Sequence, residues 1–168
     1  TKIRGYDSMK FKTSILPENK TIGWHEYCKL YLRKNNTFSK YADKLNVKEY
    51  IKSKLLNISI SKTYFSVSKS EDITEELVAS LPKNYFMKGS HGYGMTVTVK
   101  NNILKCHGHY GYCPMKNCKK SSNILICLRK NCEKWLGINY GNASGESYYT
   151  DIPHNCIFEE YISQNDII

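Results

Sequence analysis

The residues with the clearest chemical potential lie in NYFMK-GSHGYG-MTVTVK, residues 84–100. Residues 84–88 read as a short strand and 95–100, with clean alternation, as the strand that returns. Between them the loop 89–94 carries Gly89, Ser90, His91, Gly92, Tyr93 and Gly94. Glycines permit close approach and unusual dihedrals, so such a loop can lay backbone N–H groups along a polyphosphate. Lys88 ends the first strand and adds an ammonium at the mouth of the loop, and a cation beside backbone donors suits an oxyanion. The spacing matches neither a P-loop nor a dinucleotide fingerprint, and no helix follows directly. An ordinary β-hairpin with a glycine turn also fits this segment taken alone.

A second cluster of reactive side chains is the cysteines. There are seven: Cys28, Cys106, Cys113, Cys118, Cys127, Cys132 and Cys156. Cys113 and Cys118, like Cys127 and Cys132, are separated by four residues, the loose edge of structural zinc spacing. Cys127 and Cys132 stand five apart on an expected helix, which puts them on different faces. Disulfides are therefore favoured over zinc, with Cys106, Cys113, Cys118, Cys127, Cys132 and Cys156 as candidates. Connectivity cannot be read from spacing. Asn-x-Ser/Thr sequons at Asn19, Asn35, Asn57 and Asn142 make these candidate glycosylation sites. Sequons and cysteines together point to a secreted, glycosylated, disulfide-bonded protein, with a cytoplasmic location as the alternative.

These residues need elements to position them. The first twenty residues are irregular, ending in a turn at Pro17. Trp24, Tyr27, Cys28, Tyr31 and Leu32 recur at helical spacing and predict a helix over 21–33. A second helix begins near Asp43, with Leu45, Val47, Tyr50, Ile51 and Leu55 on its apolar face. Residues 63–68 read as a strand. Ser70 is an expected N-cap for a helix running to Ser80 and stopped by Pro82. Residues 105–120 read as a cysteine-bearing insertion loop, 124–136 as a helix, 141–145 as loop and 156–161 as a last strand. The expectation is a single α+β domain over residues 1–168 with antiparallel strands and flanking helices.

Four segments resemble the ATP-grasp family, most closely its teichuronopeptide-biosynthesis type. YADKLNVKEYIKSKL resembles the family's Asp-Lys helix, LPKNYFMKGSHGYGM its strand, flap and strand, and WLGINY with the following Glu and Tyr its WLxxNYY region. CIFEEYI resembles its hinge strand. The resemblance runs in order from about residue 21 to 162. It implies an ATP-grasp-like core and a nucleotide site. Lys44 would reach the α-phosphate side of ATP and Lys88 would sit over the phosphates. Ser90, His91, Gly92, Tyr93 and Gly94 would form the flap. Glu159, Glu160, Tyr161 and Ile162 would form the hinge against adenine. Tyr93 and Met95 stand where the family prefers Ser and Gly, and Lys48 replaces its Arg, losing bidentate phosphate geometry. The family's magnesium-holding acids lie in a C-terminal lobe beyond the hinge. Only six residues follow Ile162 in this sequence, Asp166 their single acid. The expectation is thus nucleotide binding, with ATP and magnesium as implied ligands, without a complete carboxylate–amine ligase. The alternative is a secreted protein that kept the fold and binds a glycan, small ligand or partner, or carries a new activity.

Composition narrows the remaining classes. The net charge is +10, from 25 basic and 15 acidic residues. The basic residues are scattered along the chain. Their densest patch, Lys116, Lys119 and Lys120, lacks the interleaved aromatics of a base-stacking surface, so nucleic acid is not an expected partner. No run of about eighteen apolar residues occurs, so no membrane-spanning helix is expected.

Overall fold

A computed structural model describes residues 38–54, 57–107, 110, 121–144 and 146–162. The expected helix over 21–33, most of the insertion loop 105–120 with Cys113 and Cys118, and the sequons at Asn19 and Asn35 lie outside them. The fold is mixed α+β. In chain order it comprises α1 (Ser39–Ala42), α2 (Asn46–Lys54), β1 (Thr63–Val67), α3 (Glu75–Ser80), β2 (Tyr85–Gly89), β3 (Thr96–Lys100), β4 (Ile103–His107), α4 (Ser121–Leu136), α5 (Tyr140–Ser144) and β5 (Cys156–Glu160). The five strands form one sheet in the order β1-β5-β2-β3-β4. Every neighbouring pair is antiparallel.

The sheet has one apolar face because its strands alternate. Tyr85 and Met87 on β2, Val97 and Val99 on β3, Leu104 on β4, and Cys156 and Phe158 on β5 are all buried. Their register places them side by side: Tyr85 opposite Val99, Met87 between Val97 and Phe158, and Val99 opposite Leu104. Helix α4 covers this face. Ile124, Leu125, Cys127, Leu128, Cys132 and Trp135 are buried at three- and four-residue spacing, which makes one apolar stripe. Trp135 is fully buried, and its indole N–H donates to the Tyr110 carbonyl at 2.9 Å.

Residues directly opposite one another across strands share a face. The second face therefore reads Thr63, Glu159, Phe86, Thr98 and Lys105 in one row, and Ile157, Lys88 and Thr96 in the next. It is the polar, charged side of the sheet.

Three expectations are corrected. The single helix from Ser70 to Ser80 is two pieces, a 3-10 turn at Ser70–Asp72 and then α3. The break falls where Ile73 turns wholly into the core, and Thr74 starts the helix afresh by accepting from the Leu77 N–H at 3.1 Å. The expected loop at 141–145 begins as helix α5, because the Asn139 side chain accepts from the Asn142 N–H at 3.0 Å and caps it. The insertion loop begins later than residue 105, because β4 extends the sheet. It is reached by a two-residue turn, Asn101 and Asn102, with φ of 51° and 57°. That is the conformation a tight hairpin requires and asparagine tolerates.

Cys106, Cys127, Cys132 and Cys156 carry thiols in the structure. The sequon asparagines Asn57 and Asn142 are exposed. Among the described residues no helix is long and apolar enough to cross a membrane.

Candidate functional site

The site grows from the segment that precedes α2. The Asp43 carboxylate accepts from the Leu45 N–H at 2.9 Å and from the Asn46 side chain at 2.7 Å, fixing the start of the helix. This leaves the next residue, Lys44, pointing into the turn between β2 and β3. Its Nζ donates to the carbonyl of Gly89 at 2.8 Å and to that of Gly92. Its backbone N–H donates to the Ser90 carbonyl at 3.4 Å. The Asp-Lys segment and the glycine turn, 45 residues apart in sequence, are stitched together by one side chain.

One helical turn later, Lys48 reaches the sheet. Its Nζ donates to the Ser61 carbonyl at 2.9 Å, to the Thr63 hydroxyl at 2.8 Å and to Glu159 Oε1 at 2.6 Å. These three bonds use all three donors of the ammonium. Lys88 takes the other carboxylate oxygen, at 2.7 Å from Oε2. Glu159 is buried on the inner strand β5, between β1 and β2, and its carboxylate is held by two lysines at once.

Burial pushes the Glu159 carboxyl up. The hydrogen bonds and charges of Lys48 and Lys88 together outweigh it, leaving the carboxyl below its ordinary range. Lys44 moves in the opposite sense. Burial, then the neighbouring charge of Lys88, lowers it to about 8, against the weaker pull of Glu159 and Asp43. Three lysines thus face two acids in this cluster, leaving an excess of one positive charge. The excess is directed by geometry. Lys48 is saturated, whereas Lys88 has a side chain 29% exposed and a single carboxylate partner. Its ammonium also lies over the Phe86 ring at 4.9 Å.

The turn itself is fastened rather than loose. Ser90 is buried, donating to the Pro153 carbonyl at 2.9 Å and accepting from the Asn155 N–H at 3.2 Å. His91 is buried as well. Its Nε2 donates to the carbonyl of Trp135 at 2.9 Å, near the end of α4, and its ring stacks on His154 at 3.9 Å. Burial drives His91 down to about 4, so it is neutral at physiological pH and carries no charge for an anion. The side chains of Ser90 and His91 therefore anchor the turn, and both residues are wholly buried. Gly92 is required by close approach, since a Cβ there would meet the Tyr140 ring at 2.8 Å. Gly94 adopts φ 75°, in the left-handed region that favours glycine. Tyr93, 71% exposed, is the outward tip. Among the described residues, no hydrogen bond engages the backbone N–H of His91, Gly92, Tyr93 or Gly94.

The WLGINY stretch and the Glu and Tyr after it build the wall behind this turn. Tyr140 packs on Gly92, while Tyr148 donates to Glu146 at 2.7 Å. At the far end of β5 the side chains divide. The Glu160 carboxylate accepts from the Lys62 N–H at 3.1 Å, and its own N–H donates to the Lys62 carbonyl at 2.8 Å, so its backbone is already paired on that side. The Tyr161 ring stacks on Phe86 at 5.1 Å with 20° between planes, and Lys100 lies over it at 5.3 Å. Ile162 is exposed.

The structure thus gathers Lys44, Lys88, Glu159 and the turn, and it strings Phe86 and Tyr161 along the same sheet face. Reading the sequence passed over Phe86 as a site residue and took Lys48 only as the replacement for the family's Arg. Both had a periodic signal: Lys48 stands four residues after Lys44 on a helix, and Phe86 two residues before Lys88 on a strand. Among the described residues no three His, Cys, Asp or Glu side chains come together as a metal site. Comparison of the chain with protein-family models, with curated proteins and with solved structures gives no match.

Proposed function

We propose that the polar face of the sheet binds a nucleotide, with the phosphates against Lys44, Lys88 and the tip of the 90–94 turn and the base along Phe86 and Tyr161. The observation that carries this reading is the cation cluster. Lys44 and Lys88 retain donors beside a turn in which the backbone N–H groups of Tyr93 and Gly94, its two residues that are not buried, are unengaged among the described residues, and the local charge is positive by one. Oxyanions are the ligands such a place suits. The aromatic pair adds a flat apolar surface that a base can extend by stacking. The order of the motifs resembles the ATP-grasp family, so ATP is the nucleotide to test first. Magnesium would arrive with the phosphates, since the described residues bring no acid cluster to hold it. Ligase chemistry is not part of the reading.

Binding is shallow, because Lys88 is partly exposed and water screens its contact with a phosphate. The expected affinity is on the order of millimolar. Calorimetry at low salt tests it with the parent chain, Lys88→Ala and Lys83→Ala. Lys88→Ala should lose roughly tenfold or more in affinity, equivalent to about 1.4 kcal/mol, and Lys83→Ala should match the parent. Absence of heat at millimolar ATP refutes the nucleotide reading. Equal weakening in both variants reduces it to diffuse attraction by a surface of net charge +10.

One observation favours a second reading. Ser90 and His91 turn inward and pin the loop, so it is a fixed turn and not a mobile flap. A fixed, basic surface also suits a sulfated or acidic glycan on a secreted protein. Heat with a sulfated disaccharide and none with ATP would select that alternative.

A further inference from the structure

The end of the β2–β3 hairpin away from the glycine turn borders a cavity. Tyr85 opens β2 and lies opposite Val99, near the end of β3, on the face that α4 covers. The turn between β3 and β4 is tied to this end, since the Asn102 N–H donates to the Lys83 carbonyl at 3.3 Å. Helix α3 is kept close to α4, because Arg129 Nε donates to the Ile73 carbonyl at 2.8 Å, two residues before α3 begins. Between α3, the start of β2 and the first turns of α4 the cavity measures about 750 Å³, a size that suits a small organic molecule.

Its lining divides by burial. Leu81, Tyr85, Val99, Ile124 and Leu125 are buried and make an apolar floor, whereas Glu75, Lys83 and Asn102 are exposed at the rim. One polar group interrupts the floor. The Tyr85 hydroxyl is buried and, among the described residues, has no hydrogen-bond partner. An unpaired buried hydroxyl costs free energy, and a group that pairs with it recovers that cost. Burial also pushes the Tyr85 phenol far up, so it stays protonated and offers a donor at physiological pH.

We propose that this cavity binds a small neutral molecule with an apolar body and a carbonyl-type oxygen, which accepts the hydrogen bond of the Tyr85 hydroxyl. Neutrality follows from the lining. An anion would leave water for an apolar floor, and the one cation of the lining, Lys83, is exposed at the rim. Glu75 and Lys83 remain for a polar group at the other end of the ligand. The site does not depend on the nucleotide reading, because Lys88 lies at the opposite end of β2 and on the other face of the sheet.

The test titrates the full chain, with its methyl groups isotope-labelled, against two probes, acetophenone and ethylbenzene. They share a ring and a two-carbon arm and differ in the carbonyl oxygen. Acetophenone should shift the methyl NMR signals of Leu81, Val99, Ile124 and Leu125 in a saturable way, with a Kd below about 1 mM. Ethylbenzene leaves the hydroxyl unpaired and should bind roughly tenfold more weakly. Tyr85→Phe keeps the ring and removes the hydroxyl. Without probe it should melt at or above the parent's temperature, since no hydrogen bond is lost. The two probes should bind this variant alike. Absence of binding by both probes, equal affinity of the two for the parent, or shifts confined to methyls elsewhere overturns the site. A Tyr85→Phe chain that keeps the preference for acetophenone overturns the role of the hydroxyl. So does one that melts well below the parent, because the hydroxyl would then already have a partner within the protein.

Discussion

Against α4 the sheet presents Tyr85, Met87, Val97, Leu104 and Phe158, while on its opposite side it presents Phe86, Lys88, Thr96, Thr98 and Glu159. The same strands make both faces, and the alternation of side chains divides them. On the first face, apolar area is removed from water, worth about 1.5–3 kcal/mol for each large side chain. On the second, two lysines surround one carboxylate and further donors remain unused. The contrast teaches where this molecule keeps its stability and where it keeps its capacity to bind phosphate. A change on the α4 face should be felt in unfolding and not in ATP affinity; a change on the other face can move the two in opposite directions.

The strongest way to sharpen that contrast is Trp135→Ala. It empties the largest buried side chain and strands the Tyr110 carbonyl. Urea unfolding should show a loss of about 3–5 kcal/mol. An intact midpoint would mean that α4 does not carry the core.

Glu159→Gln comes next and probes the other face. It leaves Lys48 and Lys88 without their shared counter-charge, so stability should fall by about 2–3 kcal/mol, the lower side of what breaking a buried pair costs because Lys88 is partly exposed. Yet the excess positive charge grows, so ATP should bind severalfold more tightly where the folded variant can be measured. A parallel loss of stability and affinity would erase the distinction between the faces.

The third prediction concerns pH. Lys44 must be charged to attract phosphate, and its folded value of about 8 lies below the ordinary 10.5. ATP affinity should therefore decline as pH rises from about 7 to 9, a range in which ordinary lysines stay protonated. The stability contribution of Lys44 has the opposite sign. The folded state binds that proton less tightly than the unfolded chain does, so stability gains as pH rises from about 8 towards 10.5. For Glu159, whose folded value is depressed, stability is present above the ordinary carboxylate range and is lost as pH falls through the folded value. Calorimetric titrations paired with denaturation at each pH would separate these trends, and a flat affinity between pH 7 and 9 would remove Lys44 from the binding surface. The smallest effect is expected at Gly94. Gly94→Ala forces a side chain into φ 75° and should cost about 1 kcal/mol in unfolding experiments, leaving the α4 face untouched.

Much of this was legible in the sequence because it rests on short periods. Alternation in MTVTVK and the glycines before it gave the hairpin, and the apolar stripe from Ile124 to Trp135 gave α4. What escaped depended on contacts distant along the chain or on turn chemistry. Nothing local announces that Glu159 would be shared by Lys48 from a helix and Lys88 from a neighbouring strand. The inward course of Ser90 and His91 likewise depends on Pro153 and Trp135, far along the chain. β4 was missed for a different reason: its signal, Asn101-Asn102 between two extended runs, was present and passed over. Ile73 shows tertiary demand overriding local preference, since a core position broke what capping and helix propensity would have joined.

The pinned turn also has an evolutionary side. Gly92 and Gly94 are held by space and dihedral, and Ser90 and His91 by partners they cannot exchange. Tyr93 alone projects outward from a frame that its identity does not help to hold. Substitution there is cheap in folding terms yet occurs at the rim of the charged surface. Drift at this one position can retune what the surface accepts while the scaffold pays nothing, so sequence variety among descendants of this chain should concentrate at Tyr93 long before it reaches its immediate neighbours.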